Sequence, residues 1–421
     1  MTCDLLVLAR HALLGRPKER AFDAMTGKIG ILFIFAQEGF GADSAVHADI
    51  IRHLDRERFD VHVACTSGDG KSVPASLAVF RQIPGISLRE TRFAPSLGER
   101  SWQAGLNVLG SAVASSADFI ALRQYVVKHG IRIIHSTERP RDSAYNIALA
   151  KLTGARSVVH VHVKWSQEYS PLARWAVQRA DAVFSISQYV TRTLLDMGKP
   201  AQAISTVLNG IGTSKWDPTI DGQELRRELG IPSSALVLAS VSRLFSWKGQ
   251  RELLRAFALV RAVRKDTWLL IVGADALEVE GGSFTAELKA LARTLKVEDQ
   301  VLFTGARSDV PRVMAACDVF TLPSFEEPFG LVYLEAMAMQ RPVIAIDSGG
   351  APEVVLHGRT GLLSPQLDVP ALAANILKLL EEPALRVAMG EAGRARVLAH
   401  FTAERMARDA GAAYERLLQT A

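Results

Sequence analysis

The sequence predicts two consecutive α/β units, each a doubly wound parallel sheet covered by helices. Three observations carry this. From Lys28 onward, short continuous apolar runs alternate with helical segments. A run without polar alternation is what a strand buried on both faces looks like, and strand–helix alternation winds such strands into parallel sheets. The alternation breaks at VLNGIGTSKWDP (207–218), where Asn-Gly, a second Gly and Asp-Pro mark a linker. Finally, 421 residues exceed one comfortable core.

The elements follow in order. Residues 1–27 stand apart: LLVLARHALLG is too short and too basic at its centre for a secretion segment, and no small-residue cleavage site follows. They read as an N-terminal extension, with Met25 just ahead of the first strand. IGILFIFA (29–36) is that strand, EGFGADSAV a loop, and ADIIRHL the end of a helix. FDVHVACT (59–66) is the second strand. Residues 67–120 are less regular and carry only weak helical signals. ALRQYVVKHG ends a helix at Gly130, and IRIIHST (131–137) is a strand. SAYNIALAKLTG, LARWAVQRA and VTRTLLDMG are helices, separated by the strands ARSVVHVHV and DAVFSISQ (181–188). Beyond the linker, the strands are ALVLASVSRL (235–244), TWLLIVGA, VLFTGA (301–306), DVFTLPS and PVIAIDS, again with helices between them. The boundaries predicted are an N-terminal domain over 28–208, a C-terminal domain over 209–395, and a C-terminal helix over 396–421 that packs back on the N-terminal domain.

An apolar share of 48% with 22% charged residues places the chain among globular proteins, and no run of eighteen apolar residues suggests a membrane span. Cys3, Cys65 and Cys317 are scattered, without metal-ligand spacing. This argues for a reducing, cytoplasmic compartment and against a disulfide framework or structural zinc. Residues 1–208 carry a formal charge of roughly +7 and residues 209–421 roughly −2. Arg-rich composition accounts for this as readily as peripheral contact with an anionic membrane or a phosphate-bearing acceptor does. Nucleic acid is not an expected partner, because no basic run is interleaved with aromatics.

Four segments carry chemistry. In SFEEPFGLVYLEAMAM (324–339), seven residues separate Glu327 in a loop from Glu335 in a helix. Between them, the amides of Phe329, Gly330 and Leu331 open that helix without intrahelical partners, as an anion site requires. Two acids flanking a phosphate make sense if each accepts hydrogen bonds from hydroxyls at opposite ends of one ligand. A nucleotide-sugar has that layout; capping acids on a strand–loop–helix unit are the plainer alternative. In SRLFSWKGQ (242–250), Arg243 and Lys248 stand at the mouth of a strand, where two cations can neutralise a diphosphate and its charge on departure. Gly39-Phe40-Gly41 after the first strand allows close backbone approach to a phosphate or sugar, or simply makes a tight turn. It lacks the third glycine of a dinucleotide fingerprint. VVHVHVKW (158–165) puts His160 and His162 on one strand face, where they serve a ligand, a metal or the core.

The 324–339 segment, together with RPVIAIDSGGAPEVVLHGRTGLLSP (341–365), closely resembles the E-x7-E region of retaining glycosyltransferases with the GT-B fold, family 4-like, group 1. That family includes lipopolysaccharide and exopolysaccharide sugar transferases. The resemblance covers about residues 28–420. It implies two Rossmann-like domains with parallel sheets facing an interdomain cleft. The N-terminal domain would take a glycan or lipid-linked acceptor and the C-terminal domain a UDP- or GDP-linked sugar donor. It implies a retaining, metal-independent reaction without cofactor. By the same resemblance, Glu327 takes donor-sugar hydroxyls, Glu335 the ribose and Gly41 the diphosphate. Arg243 and Lys248 act as the electrostatic acid that replaces a metal. His162, with His160 as the fallback, reaches the transferred sugar. Arg307, in TGARSD (304–309), contacts the base. His135 and Glu353 are structural. A sugar-nucleotide epimerase, a glycan phosphorylase or a non-catalytic binding module would share the fold; the intact E-x7-E pattern speaks against an epimerase and the length against a pyridoxal phosphorylase.

Overall fold

In the computed structural model, the structure describes residues 27–68, 72–94, 104–275 and 283–419; the predicted extension therefore lies almost wholly outside the described residues. The chain divides into two compact units: residues 1–208 with 404–421, and residues 209–403.

In unit 1, seven strands form one parallel sheet: β1 (Ile29–Phe35), β2 (Phe59–Thr66), β3 (Ser87–Thr91), β4 (Ile131–Thr137), β5 (Arg156–Val161), β6 (Ala182–Ser185) and β7 (Ile204–Thr206). Their order is β3-β2-β1-β4-β5-β6-β7, with β1 central and buried from Gly30 onward. The core on one face gathers Leu32, Ile34 and Ile134 from the sheet against Phe119, Leu122 and Leu149 from helices. Each such aliphatic side chain contributes roughly 1.5–3 kcal/mol on burial. In unit 2, six strands are likewise parallel: β8 (Leu236–Val241), β9 (Thr267–Val272), β10 (Val301–Gly305), β11 (Val319–Thr321), β12 (Val343–Ile346) and β13 (Gly361–Ser364), in the order β10-β9-β8-β11-β12-β13. Leu238, Leu269 and Ile271 pack there against Leu253, Phe257, Ile376 and Leu379. Two parallel-sheet α/β units are the GT-B plan expected from the sequence.

Three differences stand out. The segment 67–120 is more regular than expected: it holds the helix Ala75–Phe80, the strand β3 and the start of the 25-residue helix Ala104–Lys128. The strands β3, β7 and β13 carry no signal in the sequence reading, and each ends its sheet. The segment 396–421 is not one helix. Pro383–His400 continues through Arg396, and a separate helix, Ala403–Gln419, follows Phe401. Nearly all of that last helix belongs to unit 1, where its Tyr414 is buried against Phe184 and His135.

Candidate active site

The chemistry-bearing side chains of both units follow the carboxyl ends of parallel strands, where ligands bind in such sheets. In unit 2 the centre is an ion pair. Lys248 Nζ donates to Glu327 Oε2 at 2.6 Å. Both side chains are largely buried, 13% and 11% exposed, which makes this a fixed pair rather than a loose surface contact.

Local sequence fixes each partner. Lys248 ends the 3-10 turn Ser246–Lys248 after β8, with its ammonium 4.0 Å from the Trp247 ring centroid. Gly249 follows at φ +74° and opens the helix Gln250–Val263; a Cβ there would meet the Pro323 carbonyl oxygen at 2.1 Å. Gln250 Nε2 donates to Ser242 Oγ at 3.0 Å, tying the helix start back to the end of β8. Arg243 is exposed, with its guanidinium 5.5 Å from the Phe245 ring centroid. Glu327 stands in the loop after β11. The Phe325 amide donates to the Trp247 carbonyl at 2.8 Å, joining that loop to the Lys248 turn. Behind it runs the pair Gly349-Gly350: the Gly350 amide donates to the Glu327 carbonyl at 2.7 Å. A Cβ on Gly349, at φ +64°, would come within 2.5 Å of that carbonyl oxygen, and one on Gly350 within 2.3 Å of Pro328 O. The double glycine lets two chain segments touch backbone to backbone.

The E-x7-E helix spans Leu331–Ala338, so it starts two residues later than the sequence reading placed it. Leu331 is the first helical residue and Gly330, at φ +94°, its cap; Phe329 lies before the cap, buried, its ring 5.9 Å from that of Phe401. Gly330 is required because a Cβ would strike the Tyr333 ring. Tyr333 Oη donates to the Leu322 carbonyl at 2.9 Å, fixing the helix on the end of β11. Glu335 is half-buried. Burial pushes its carboxyl up to about 7, against the pull of the Lys215 charge. The Arg307 guanidinium is bonded to Asp309, at 2.8 Å through both Nε and Nη2, and to Glu228 at 3.0 Å.

In unit 1, Gly41 caps the helix Ala42–His53 with an ordinary extended backbone, φ −104°. A Cβ there would press on Asp43 Oδ1 at 2.8 Å, the far end of a side chain. Burial raises the Asp43 carboxyl, but Arg139, donating to it at 2.7 Å, outweighs burial and holds it below its usual range. His162 follows β5. Its amide donates to Glu138 Oε2 at 3.3 Å, and burial is the main cause that takes its imidazole down to about 4. His162 keeps exposed surface and His160 has none, so of the two only His162 is accessible. Sequence reasoning missed Glu138, which burial, then the Asp43 charge, pushes up to about 8. It also missed Asp142, which accepts from the Ala36 amide at 3.0 Å and so holds the end of β1. Neither lies in a motif. Both follow β4, and that position was the available signal.

Residues 221–396 match the family described as Glycosyl transferases group 1, and residues 45–215 match Glycosyltransferase Family 4. A GDP-mannose-dependent alpha-(1-6)-phosphatidylinositol monomannoside mannosyltransferase of Mycolicibacterium smegmatis is 36% identical over 263 residues, 58% of this chain and just under two thirds, 66%, of that protein. The enzyme of the same description from Mycobacterium tuberculosis is 33% identical over 304 residues, 67% of this chain and 75% of its own length. Among solved structures, Anabaena HepE in complex with UDP-glucose superposes with a TM-score of 0.75 at 25% identity, over 92% of this chain and all of HepE.

Proposed function

The chain belongs to the family 4, group 1 glycosyltransferases, and on that premise we propose that it is a retaining glycosyltransferase that moves a sugar from a UDP- or GDP-linked donor to a glycan or lipid-linked acceptor in cell-surface polysaccharide or lipopolysaccharide synthesis. The observation that carries the reading is the buried Lys248–Glu327 pair, with Glu335 one helix turn further on.

In this reading the donor lies over unit 2 with its sugar at Glu327 and its ribose at Glu335. The amide of Leu331, at the start of the helix, faces the diphosphate. The anomeric C–O bond breaks, negative charge grows on the leaving diphosphate, and Lys248 and Arg243 stabilise it, so that no divalent ion is needed. The acceptor hydroxyl oxygen adds to the same face of the sugar, and its proton passes to the departing diphosphate oxygen. Glu327 anchors Lys248 until the donor hydroxyls compete for its carboxylate. In unit 1, Gly41 is assigned to the diphosphate and His162 to the transferred sugar.

A panel of UDP- and GDP-sugars, each incubated with and without lipid-linked acceptors and without added magnesium or manganese, tests this. We expect nucleoside diphosphate release from one donor, accelerated by acceptor. Epimerised donor, phosphate-dependent cleavage of a glycan, or strict dependence on added metal would contradict the reading.

A further inference from the structure

Under the sheet of unit 1 lies a cluster of imidazoles with no role in the reaction above. His47 comes from the helix Ala42–His53, His135 from β4 and His160 from β5. All three are fully buried. The strand pairing sets the latter two side by side: His135 is opposite Val158 and Thr137 opposite His160, so both histidines project from the same face. His47 Nε2 lies 3.1 Å from His160 Nδ1, 3.3 Å from His135 Nε2 and 3.4 Å from His162 Nε2. One ring nitrogen has one in-plane position, so it makes one hydrogen bond, as donor or acceptor. At least two of these three contacts therefore hold no proton between them.

A cation resolves that arrangement. Zinc–imidazole bonds of about 2.0–2.1 Å in a tetrahedral site put neighbouring nitrogens about 3.3 Å apart. The geometry points to a buried transition-metal site of the zinc class in unit 1, with His47 Nε2, His135 Nε2 and His160 Nδ1 as ligands and a water in the fourth position. The candidate ligand atoms lie within 4.8 Å of one another. One of the rings is also held in place as a ligand should be. His135 stacks on Phe33 at 4.9 Å, and its Nδ1 is 2.6 Å from Tyr414 Oη, which accepts the Nδ1 proton when Nε2 carries the ion. Three nitrogen ligands suit zinc, cobalt, nickel or copper and disfavour magnesium or calcium. The ion is structural: it joins a helix to two strands, and it lies in a different unit from the cations assigned to the leaving group.

The test uses the full chain, stripped with chelator and titrated with Co²⁺ and then Zn²⁺. The expected result is one equivalent bound, the visible absorption bands of four-coordinate cobalt, displacement by zinc and a raised melting temperature. His160→Gln should abolish the bands, and Tyr414→Phe should weaken zinc binding by roughly tenfold or more. His62→Gln, which alters a buried histidine bonded instead to Tyr125 and Asp60, should bind like the parent. If His160→Gln does not fold, the parent's stoichiometry and the Tyr414→Phe affinity still decide. Substoichiometric binding by the parent, octahedral cobalt bands, or an unchanged affinity in Tyr414→Phe would overturn the site.

Discussion

Glu335 joins burial to recognition. Its carboxyl is raised from an ordinary 4.5 to about 7, so the folded protein keeps a proton that the unfolded chain releases in between. This group's contribution to stability is therefore present below about pH 4.5 and is lost as pH rises through about 7. Ribose hydroxyls bind the ionised form better, so GDP and UDP affinity should rise with pH across neutrality, and Glu335→Gln should flatten that rise in isothermal titration. Glu335→Ala should cost roughly 1.5–3 kcal/mol of nucleotide affinity; equal binding by variant and parent would remove the ribose assignment. His162→Ala should leave the melting temperature and nucleotide affinity near the parent's while turnover falls roughly tenfold or more, as expected of a side chain that poses the sugar. If stability and both functions fall together, His162 is a core residue. At this scale the sequence was legible where a motif is local. Lys248, Glu327 and Glu335 lie in two short segments that could be singled out, but the contact between Lys248 and Glu327, 79 positions apart, could not be read from either. Arg307 could not be judged, because its partner Glu228 is 79 positions away. His47 and His135, 88 positions apart, meet only through the fold.

Among the elements, central strands were legible, and of the four edge strands only β10 was. β1, β2 and β4 are apolar runs because neighbours cover both their faces. β3 and β7 sit at sheet edges, are partly exposed, and so have mixed composition without periodicity. β13 is short and begins at Gly361, whose missing side chain admits the Val343 carbonyl. The loops at the site depend on glycine for the same reason. Gly349→Ala puts a Cβ within 2.5 Å of the Glu327 carbonyl at a positive φ. Strain of that kind costs about 1–3 kcal/mol. The variant should lose melting temperature by calorimetry and lose more activity than that loss explains, because the displaced backbone carries Glu327. A variant as active and as stable as the parent would show that the Gly349–Glu327 contact does not position the acid.

At the scale of the whole molecule, the two units differ in charge. The N-terminal half carries roughly seven net positive charges and the C-terminal half roughly two negative. No helix among the described residues is long and apolar enough to cross a membrane. We propose peripheral attachment through the basic half, worth about 1 kcal/mol for each cation near an anionic surface. Sedimentation with vesicles should show more protein bound to anionic than to neutral lipid, with the difference shrinking as salt screens it. Equal binding to both would remove membrane attachment and leave the transferase reading intact. The account rests most heavily on Lys248 as the group that stabilises the departing diphosphate. The direct measurement is donor turnover by the parent and by Lys248→Ala, at matched folding and saturating donor. Turnover in the variant should fall by roughly a hundred- to a thousandfold, as when a preorganised charge-stabilising group is removed, with nucleotide still bound. A folded Lys248→Ala protein that turns over donor at the parent's rate would contradict the account.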